Sequence, residues 1–279
     1  MQTRDVFWQG AAALLLFALA MARPSLASAH GLPDEPPQGL SPHGGYPTVS
    51  LTFDDSHAMH RWAAEVLSRR GMVGTFYVNS PRIGNEGYLR EEDLRAMEAL
   101  GHEIGGHTLH HPALGRLEEA AQIREICNDR AALLSMGLSI RSFAYPFNSY
   151  TPATLFAAER CGYVSARGAA GIATPQSCRG CPLVESIPPR ETFRIRSFPS
   201  YQGWMGVETL KEAIEAPQSE DGWLIFVFHD FCHGEDCASP YSMPGGDFLE
   251  FIQWLKGRGI RTRTVSEMVP GDLHPAVYG

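Results

Sequence analysis

The chain has 279 residues, of which 44% are hydrophobic and 19% charged, and its formal net charge is -8. This length and composition are those of a globular protein with a substantial core, arranged as one large domain or two small ones. No block or stripe of Lys and Arg is present, which argues against a nucleic-acid partner.

The N-terminal segment differs from the rest of the chain. A basic residue, Arg4, precedes an apolar run over residues 11–21, and small residues follow at 27–29. This three-part pattern is typical of a secretory signal peptide and predicts a signal over 1–29 that is cleaved after Ala29. An uncleaved anchor is the alternative, but a membrane span needs about twenty apolar residues. We therefore expect a secreted or periplasmic protein with no membrane span after cleavage.

Residues 30–47 are rich in Pro, Gly and His and show no periodicity, which predicts a linker in front of a domain at 48–279. All six cysteines lie in that domain, and an even number in an exported chain suggests disulfides. The close pairs Cys178/Cys181 and Cys232/Cys237 either form local bridges or join one another. A structural zinc site is the alternative, disfavoured because thiols oxidise outside the cytosol.

From residue 48 onward, apolar β-branched runs alternate with helical patterns, most of which end at a glycine. The predicted strands are 48–53, 73–79, 102–106, 140–147, 163–166, 192–197, 223–230 and 260–265. The predicted helices are 58–70, 90–100, 117–136, 151–161, 207–216 and 247–259. This alternation predicts an α/β protein with a parallel sheet, either a (β/α) barrel or a doubly wound open sheet. No Gly-rich phosphate loop follows the first strand, which argues against a dinucleotide cofactor.

Polar side chains stand where four of the predicted strands end, and parallel strands bring such residues to one face of a barrel. They are Asp54 and Asp55 after the first strand, His107 after the third, Asn148 after the fourth, which ends at Phe147, and His229 at the end of the seventh.

Asp55, His107 and His111 form a candidate metal-ligand set. Two imidazoles and one carboxylate are common zinc ligands in hydrolases and leave coordination positions open for water. A cation there would offset the repulsion between the adjacent carboxylates of Asp54 and Asp55, and would leave Asp54 free to act as a base.

Four segments together resemble a known family. "TFDD", "HTLHH", "FAYPF" and "IFVFHD" are similar to successive motifs of the polysaccharide deacetylases, which carry the NodB homology domain and are grouped as carbohydrate esterase family four. The resemblance runs in the family's order from about Thr48 to Met268. It implies a distorted (β/α) barrel of about seven parallel strands, with the catalytic domain over 48–279.

The resemblance also implies a role for each matched residue. The three candidate ligands would bind a divalent cation, most often Zn²⁺, with Co²⁺ as the alternative. Asp54 would be the general base toward the attacking water, and His229 the general acid toward the departing amine. The backbone N–H of Phe147 would stabilise the oxyanion. The products would be acetate and a free amino sugar.

Two family features are missing from this sequence. Many members carry, two residues before the proline of "FAYPF", an arginine that pairs with the base, and this chain has Ala144 there. The fourth motif, whose Asp orients the catalytic His, is not recognisable in "SARGAAGIA". Arg194 and Arg196 are candidates for the missing positive charge, and Asp221 for the missing carboxylate.

Substrate contacts are predicted for four aromatic residues, because sugar rings stack on exposed aromatic side chains. These residues are Tyr145, Tyr150, Tyr201 and Trp204. Local packing is the alternative role for an aromatic residue in a loop.

The sequence therefore predicts an exported, metal-dependent hydrolase that removes acetyl groups from an N-acetylated polysaccharide or oligosaccharide. Chitin-type oligomers, peptidoglycan and poly-N-acetylglucosamine all remain open as substrates, and O-deacetylation of acetylated xylan is a variant with the same site. An amidohydrolase acting on a small non-sugar amide is one alternative, because fold and metal site do not name a substrate. A catalytically silent glycan-binding module is another, supported by the two missing features. The oligomeric state is left open.

Overall fold

The structure is a computed structural model and describes residues 45–174, 177–217, 222–234 and 237–272. The predicted signal peptide and most of the predicted linker lie outside these residues. Among the helices of the described ranges, none combines the length and the apolarity that crossing a membrane requires.

A sheet of eight strands forms the centre of the described part of the chain, in the spatial order β6-β8-β1-β2-β3-β4-β5-β7. The strands are β1 (Thr48–Phe53), β2 (Thr75–Val78), β3 (Glu103–Gly106), β4 (Ser142–Ala144), β5 (Ser165–Gly171), β6 (Glu185–Ser186), β7 (Ile195–Ser197) and β8 (Gly222–Phe228). All neighbours pair in parallel except β6, which is antiparallel to β8. A separate parallel pair consists of β9 (Asp230–Cys232) and β10 (Ser242–Pro244).

The segment after β7 brings the two ends of this strand order together. Phe198 donates its backbone N–H to Ile225 O, and Tyr201 donates to Val227 O, both at 2.8 Å. The sheet is therefore nearly closed around its axis, and the predicted distorted barrel of about seven parallel strands is confirmed.

All six predicted helices are present. The helices are α1 (His60–Ser68), α2 (Glu91–Ala99), α3 (Glu119–Ser135), α4 (Pro152–Arg160), α5 (Gly206–Glu215), α6 (Gly245–Gly257) and the short α7 (Val265–Met268). Local chemistry explains where they begin: Thr151 caps α4 with its side-chain oxygen and Pro152 occupies the first helical position. In α2 the Asp93 carboxylate accepts from the Arg90 N–H at 2.9 Å, which closes a capping box.

Side chains of the barrel strands alternate between two environments, as the period of two in a strand requires. One set, including Phe53 and Phe76, packs in the main hydrophobic core together with helix residues such as Leu67 and Phe248. The other set faces the barrel interior and is partly polar. There the buried Glu103 carboxyl group accepts from Ser142 Oγ (2.6 Å) and Thr75 Oγ1 (3.0 Å), so both of its oxygen atoms have hydrogen-bond partners.

Three predicted strands differ most from the structure. The fourth ends at Ala144, because Pro146 begins a turn of 3₁₀ helix in which Phe147 is left-handed. The fifth continues to Gly171, five residues beyond the predicted end at 166. The predicted strand at 260–265 is wrong: within the described residues it contributes a single bridge between Val49 and Thr262, and its last residue begins α7.

The six cysteines form three disulfides: Cys127–Cys161, Cys178–Cys181 and Cys232–Cys237. The two close pairs are thus local bridges. Since no cysteine is left free, the structural-zinc alternative is wrong.

Candidate active site

A cavity of about 390 Å³ opens at the carboxyl ends of the parallel strands. Most of the predicted chemical groups line it: Asp54, Asp55, His107, His111, Phe147 and His229. A larger, shallower depression of about 880 Å³ lies beside α1 and α2, but it is lined by charged surface side chains such as Arg61 and Glu65 and by none of the predicted site residues. The chemistry is therefore concentrated in the smaller cavity.

The backbone turns sharply where β1 enters this cavity. Asp54 still donates its N–H to Phe228 O (2.9 Å), but Asp55 and Ser56 have φ values of 82° and 65°. Non-glycine residues seldom adopt this left-handed conformation, and it concentrates at functional sites. Ser56 Oγ accepts from the Asn79 N–H at 2.8 Å, which holds the turn against the end of β2. Glycine would adopt this left-handed φ without a steric cost, whereas Ser56 does not.

The two histidines reach the cavity from the loop after β3. His107 donates from Nδ1 to Ala144 O at 2.8 Å, and this bond directs the Nε2 atom toward Asp55. His111 is left-handed, with a φ of 57°, and its backbone N–H donates to Thr108 Oγ1 at 3.0 Å.

Asp55, His107 and His111 each offer one ligand atom, and these atoms lie within 4.8 Å of one another. The Asp55 Oδ1 atom is 3.1 Å from His111 Nε2 and 3.8 Å from His107 Nε2. Burial lowers the pKa of His111 to about 4 and also lowers that of His107, so both imidazoles are neutral near pH 7, as ligands must be. Their atoms and spacing fit a divalent cation with two nitrogen ligands and one oxygen ligand.

The Asp55 carboxylate has a further partner that the sequence did not indicate. Arg82 Nη1 donates to both Asp55 O (3.1 Å) and Asp55 Oδ1 (3.2 Å). Burial alone would raise the pKa of Asp55, but His107, His111 and Arg82 outweigh it, and the pKa lies below its usual range. Asp55 is therefore ionised near pH 7.

Asp54 is paired with Arg167, a residue of β5 that the sequence analysis did not single out. The Arg167 side chain is fully buried, and its Nη2 atom contacts Asp54 Oδ1. The two arginines suggested for this role bind other carboxylates: Arg194 pairs with Glu191, and Arg196 pairs with Glu185. The carboxylate suggested for orienting His229 belongs to residue 221, which lies outside the described residues.

His229 lines the cavity directly after the end of β8. Its carbonyl accepts from the buried His60 imidazole, and its ring centroid is 5.5 Å from that of Tyr241. Within the described residues no hydrogen bond reaches His229 Nδ1, although that atom is buried. The ring is thus positioned by packing and by its backbone.

The predicted aromatic contacts divide into two groups. Phe147 and Tyr145 line the cavity, but the Tyr145 hydroxyl points away and donates to Phe193 O at 3.0 Å. Phe147 is 68% exposed, and its ring centroid is 4.5 Å from that of His111. Tyr201 is only 2% exposed. The cavity lining includes none of Tyr150, Tyr201 and Trp204.

Tyr241 is an aromatic residue of the cavity wall that the sequence analysis missed. It is 45% exposed and lines the cavity with His229. It follows closely after Cys237, which is bridged to Cys232 in β9, and the short distance in sequence between this cysteine pair and His229 is a signal that could have indicated it.

Comparisons of sequence and of fold with known proteins point to the same family. The sequence profile of the family described as Polysaccharide deacetylase matches residues 43–166. A chitooligosaccharide deacetylase from Sinorhizobium fredii is 30% identical over 200 residues, which covers 70% of this chain and 77% of that protein.

Two solved structures share the fold. The family 4 carbohydrate esterase from Streptomyces lividans, solved with acetate, has a TM-score of 0.53 and 15% identity over 82% of this chain and 98% of its own. The family 4 acetyl xylan esterase from Clostridium thermocellum, solved with a cobalt ion, has a TM-score of 0.53 and 20% identity over 79% of this chain and 89% of its own. At these identities the likeness concerns the fold alone.

Proposed function

Because this chain belongs to the polysaccharide deacetylase family, we propose that it is a metal-dependent hydrolase that removes acetyl groups from N-acetylated polysaccharides or oligosaccharides. One observation carries the proposal: Asp54, the cluster of Asp55, His107 and His111, and His229 all line one cavity. The curated relative that matches most of the chain is a chitooligosaccharide deacetylase, so N-acetylated chitin-type oligomers are the first substrates to test.

Asp55, His107 and His111 would hold the divalent cation, with Zn²⁺ as the first candidate and Co²⁺ as the second. When bound at such a set, a divalent cation supplies Lewis-acid stabilisation of negative charge and lowers the pKa of a water. The site is prepared for it because both imidazoles are neutral and Asp55 is ionised near pH 7.

Three further groups of this chain would carry the proton transfers and the oxyanion. Asp54 takes a proton from the water that attacks the acetamide carbonyl carbon. The backbone N–H of Phe147 donates to the carbonyl oxygen as negative charge develops on it. His229 gives a proton to the sugar nitrogen as the carbon–nitrogen bond breaks, which releases acetate and a free amine.

The cavity suits one acetylated sugar unit rather than a long enclosed chain, because its volume is about 390 Å³ and it is open at the face of the barrel. Phe147 and Tyr241 expose their rings at this opening, where the faces of pyranose rings could pack on them. Export is part of the proposal, because three disulfides suit an oxidising compartment and residues 1–29 have the signal-peptide pattern.

An acetate-release assay tests the proposal. The purified domain is incubated with N-acetylated chitooligosaccharides and, in parallel, with acetylated xylan, a small aryl acetamide and peptidoglycan. Each reaction is run with chelator, and again after Zn²⁺ or Co²⁺ is restored. We expect acetate from at least one N-acetylated glycan, its loss with chelator, and its return with metal.

Three other outcomes of this assay would each favour one of the alternative functions. Turnover of the aryl acetamide alone would favour a small-amide hydrolase, and turnover of xylan alone an O-deacetylase. Metal binding without release of acetate from any donor would favour a silent glycan-binding module. Asp54→Asn and His229→Asn serve as matched inactive variants, and the exposed His233→Asn as the active control.

A further inference from the structure

Ala144 and Arg167 are paired residues of neighbouring strands. In the parallel register of β4 and β5, Ala144 lies beside Arg167. Adjacent strands are about 4.8 Å apart, and paired residues project from the same face of a sheet. Both residues are fully buried, so both belong to the interior of the barrel below Asp54. An arginine at either position would therefore extend into the same interior space.

The guanidinium of Arg167 lies in a site built from several strands. Besides its contact with Asp54 Oδ1, Nη1 donates to Gly168 O at 3.2 Å, and its central carbon lies 4.5 Å from the centroid of the Tyr77 ring. A cation over an aromatic face gains attraction, and more of it when both groups are removed from water.

The Tyr77 ring is itself held in place. Its hydroxyl group donates to Ser142 Oγ at 3.1 Å, because the single Ser142 hydrogen is already donated to Glu103. A Cβ atom at Gly105 would lie 2.6 Å from the Tyr77 ring, so only glycine lets the ring occupy this position. Strands β2, β3, β4 and β5 thus combine to place one guanidinium against Asp54.

Arg167 contacts the lining of the cavity through Asp54. Asp54 lines the cavity, whereas Arg167 is fully buried and does not line it. The nearby Arg82 is bound to Asp55. In the ranges that the structure describes, Arg167 is the one cationic side chain within ion-pair distance of Asp54.

We propose that Arg167 is the positioning residue for the base Asp54, and that it acts from β5 in place of an arginine at the paired position 144 of β4. The missing arginine of "FAYPF" is thus relocated by one strand, and Ala144 is small because the guanidinium of Arg167 already fills the shared space. This inference rests on the proposed function, since it takes Asp54 to be the base. It also accounts for a chain without an arginine at position 144 that keeps Asp54, His229 and the three candidate metal ligands in one cavity.

The test places an arginine at position 144 and removes the one at position 167. Four variants are compared with wild type: Arg167→Gln, Arg167→Ala, Ala144→Arg, and the double variant Ala144→Arg/Arg167→Ala. Measurements are kcat and KM for acetate release from an N-acetylated chitooligosaccharide, Zn²⁺ affinity by chelator competition, and the unfolding temperature. Arg167→Gln retains a donor for Gly168 O without the charge, so it tests the charge even where Arg167→Ala fails to fold.

We expect Arg167→Gln and Arg167→Ala to lower kcat by about 100-fold, with KM and Zn²⁺ affinity within about threefold of wild type. The double variant should regain kcat by about tenfold or more over Arg167→Ala. Ala144→Arg alone should have a lower unfolding temperature than wild type, because it places two guanidinium groups in one buried space.

Other results would overturn the inference. A wild-type kcat in folded Arg167→Gln would show that the positive charge of Arg167 has no role in catalysis. A loss of Zn²⁺ affinity equal to the loss of kcat would make Arg167 a structural support of the metal cluster. If kcat did not rise in the folded double variant, an arginine at position 144 could not replace Arg167, and the two positions would not share one role. Failure of the proposed function is distinguishable, because wild type itself would then release no acetate.

Discussion

The imidazole of His107 donates from Nδ1 to the carbonyl oxygen of Ala144 at 2.8 Å, and this hydrogen bond joins the third and fourth strands of the barrel at the edge of the cavity. The bond selects the tautomer in which Nε2 carries the lone pair, and Nε2 is the atom on the side of Asp55. A backbone carbonyl therefore prepares the predicted ligand before any ion binds.

The first prediction concerns this ligand. His107→Gln should weaken Zn²⁺ binding by at least about 100-fold, because an amide is a poor substitute for a neutral imidazole. Competition with a chromogenic chelator measures the affinity. His110→Gln is the matched control: it lies in the same loop, but its exposed ring pairs with Glu125 at 2.8 Å. Equal affinities in the two variants would remove His107 from the ligand set.

The second prediction concerns the left-handed turn at Ser56. Ser56→Gly relieves the conformation but removes the acceptor for the Asn79 N–H, whereas Ser56→Ala removes the acceptor and keeps the strain. Both variants should be less stable than wild type, because a buried N–H loses its partner, and Ser56→Ala should be less stable than Ser56→Gly by about 1 kcal/mol.

Urea unfolding of wild type, Ser56→Gly and Ser56→Ala measures their free energies of unfolding and gives the order of their stabilities. If Ser56→Ala proved as stable as Ser56→Gly, the turn would not store strain at this residue.

The third prediction concerns pH and the buried His102. Its Nδ1 atom accepts from the Gly74 N–H at 3.1 Å, and burial lowers its pKa from 6.5 to about 4. Between these two values the unfolded chain binds a proton at His102 that the folded protein does not, so stability falls as the pH falls through this window. His102→Asn keeps an acceptor for Gly74 and removes the titration.

The free energy of unfolding is measured between pH 7 and pH 4. The loss in His102→Asn should be smaller than in wild type by about 2–3 kcal/mol. Parallel curves for wild type and His102→Asn would show that His102 is not the titrating group.

The fourth prediction concerns the disulfides. Cys127–Cys161 joins α3 to the end of α4 across a sequence separation of 34, whereas Cys178–Cys181 spans only 3. Because a bridge restricts the unfolded chain more when it closes a longer loop, replacing Cys127 and Cys161 by Ala should lower stability by about 4 kcal/mol, against about 1.5 kcal/mol for Cys178 and Cys181.

Unfolding temperatures of the two double variants compare these losses directly. A larger loss for the short bridge would mean that local packing, rather than loop length, sets the contribution.

Much of the fold could be predicted from local sequence patterns. Strand β1 and the six longer helices follow from the hydrophobic period, the helix caps and the glycine stops, which involve residues only a few positions apart. The predicted strand at 260–265 failed for the same reason: its β-branched residues favour extended backbone, but whether a ladder forms depends on distant neighbours.

The sequence by itself determined which chemical groups meet, because the ends of successive parallel strands share one face of a barrel whatever its exact shape. Only the tertiary structure decided that Arg167 contacts Asp54, 113 residues away, and that Tyr201 is buried while Tyr241 lines the cavity. Lateral register and barrel closure set those contacts, and both depend on how the whole core packs rather than on any local run of residues.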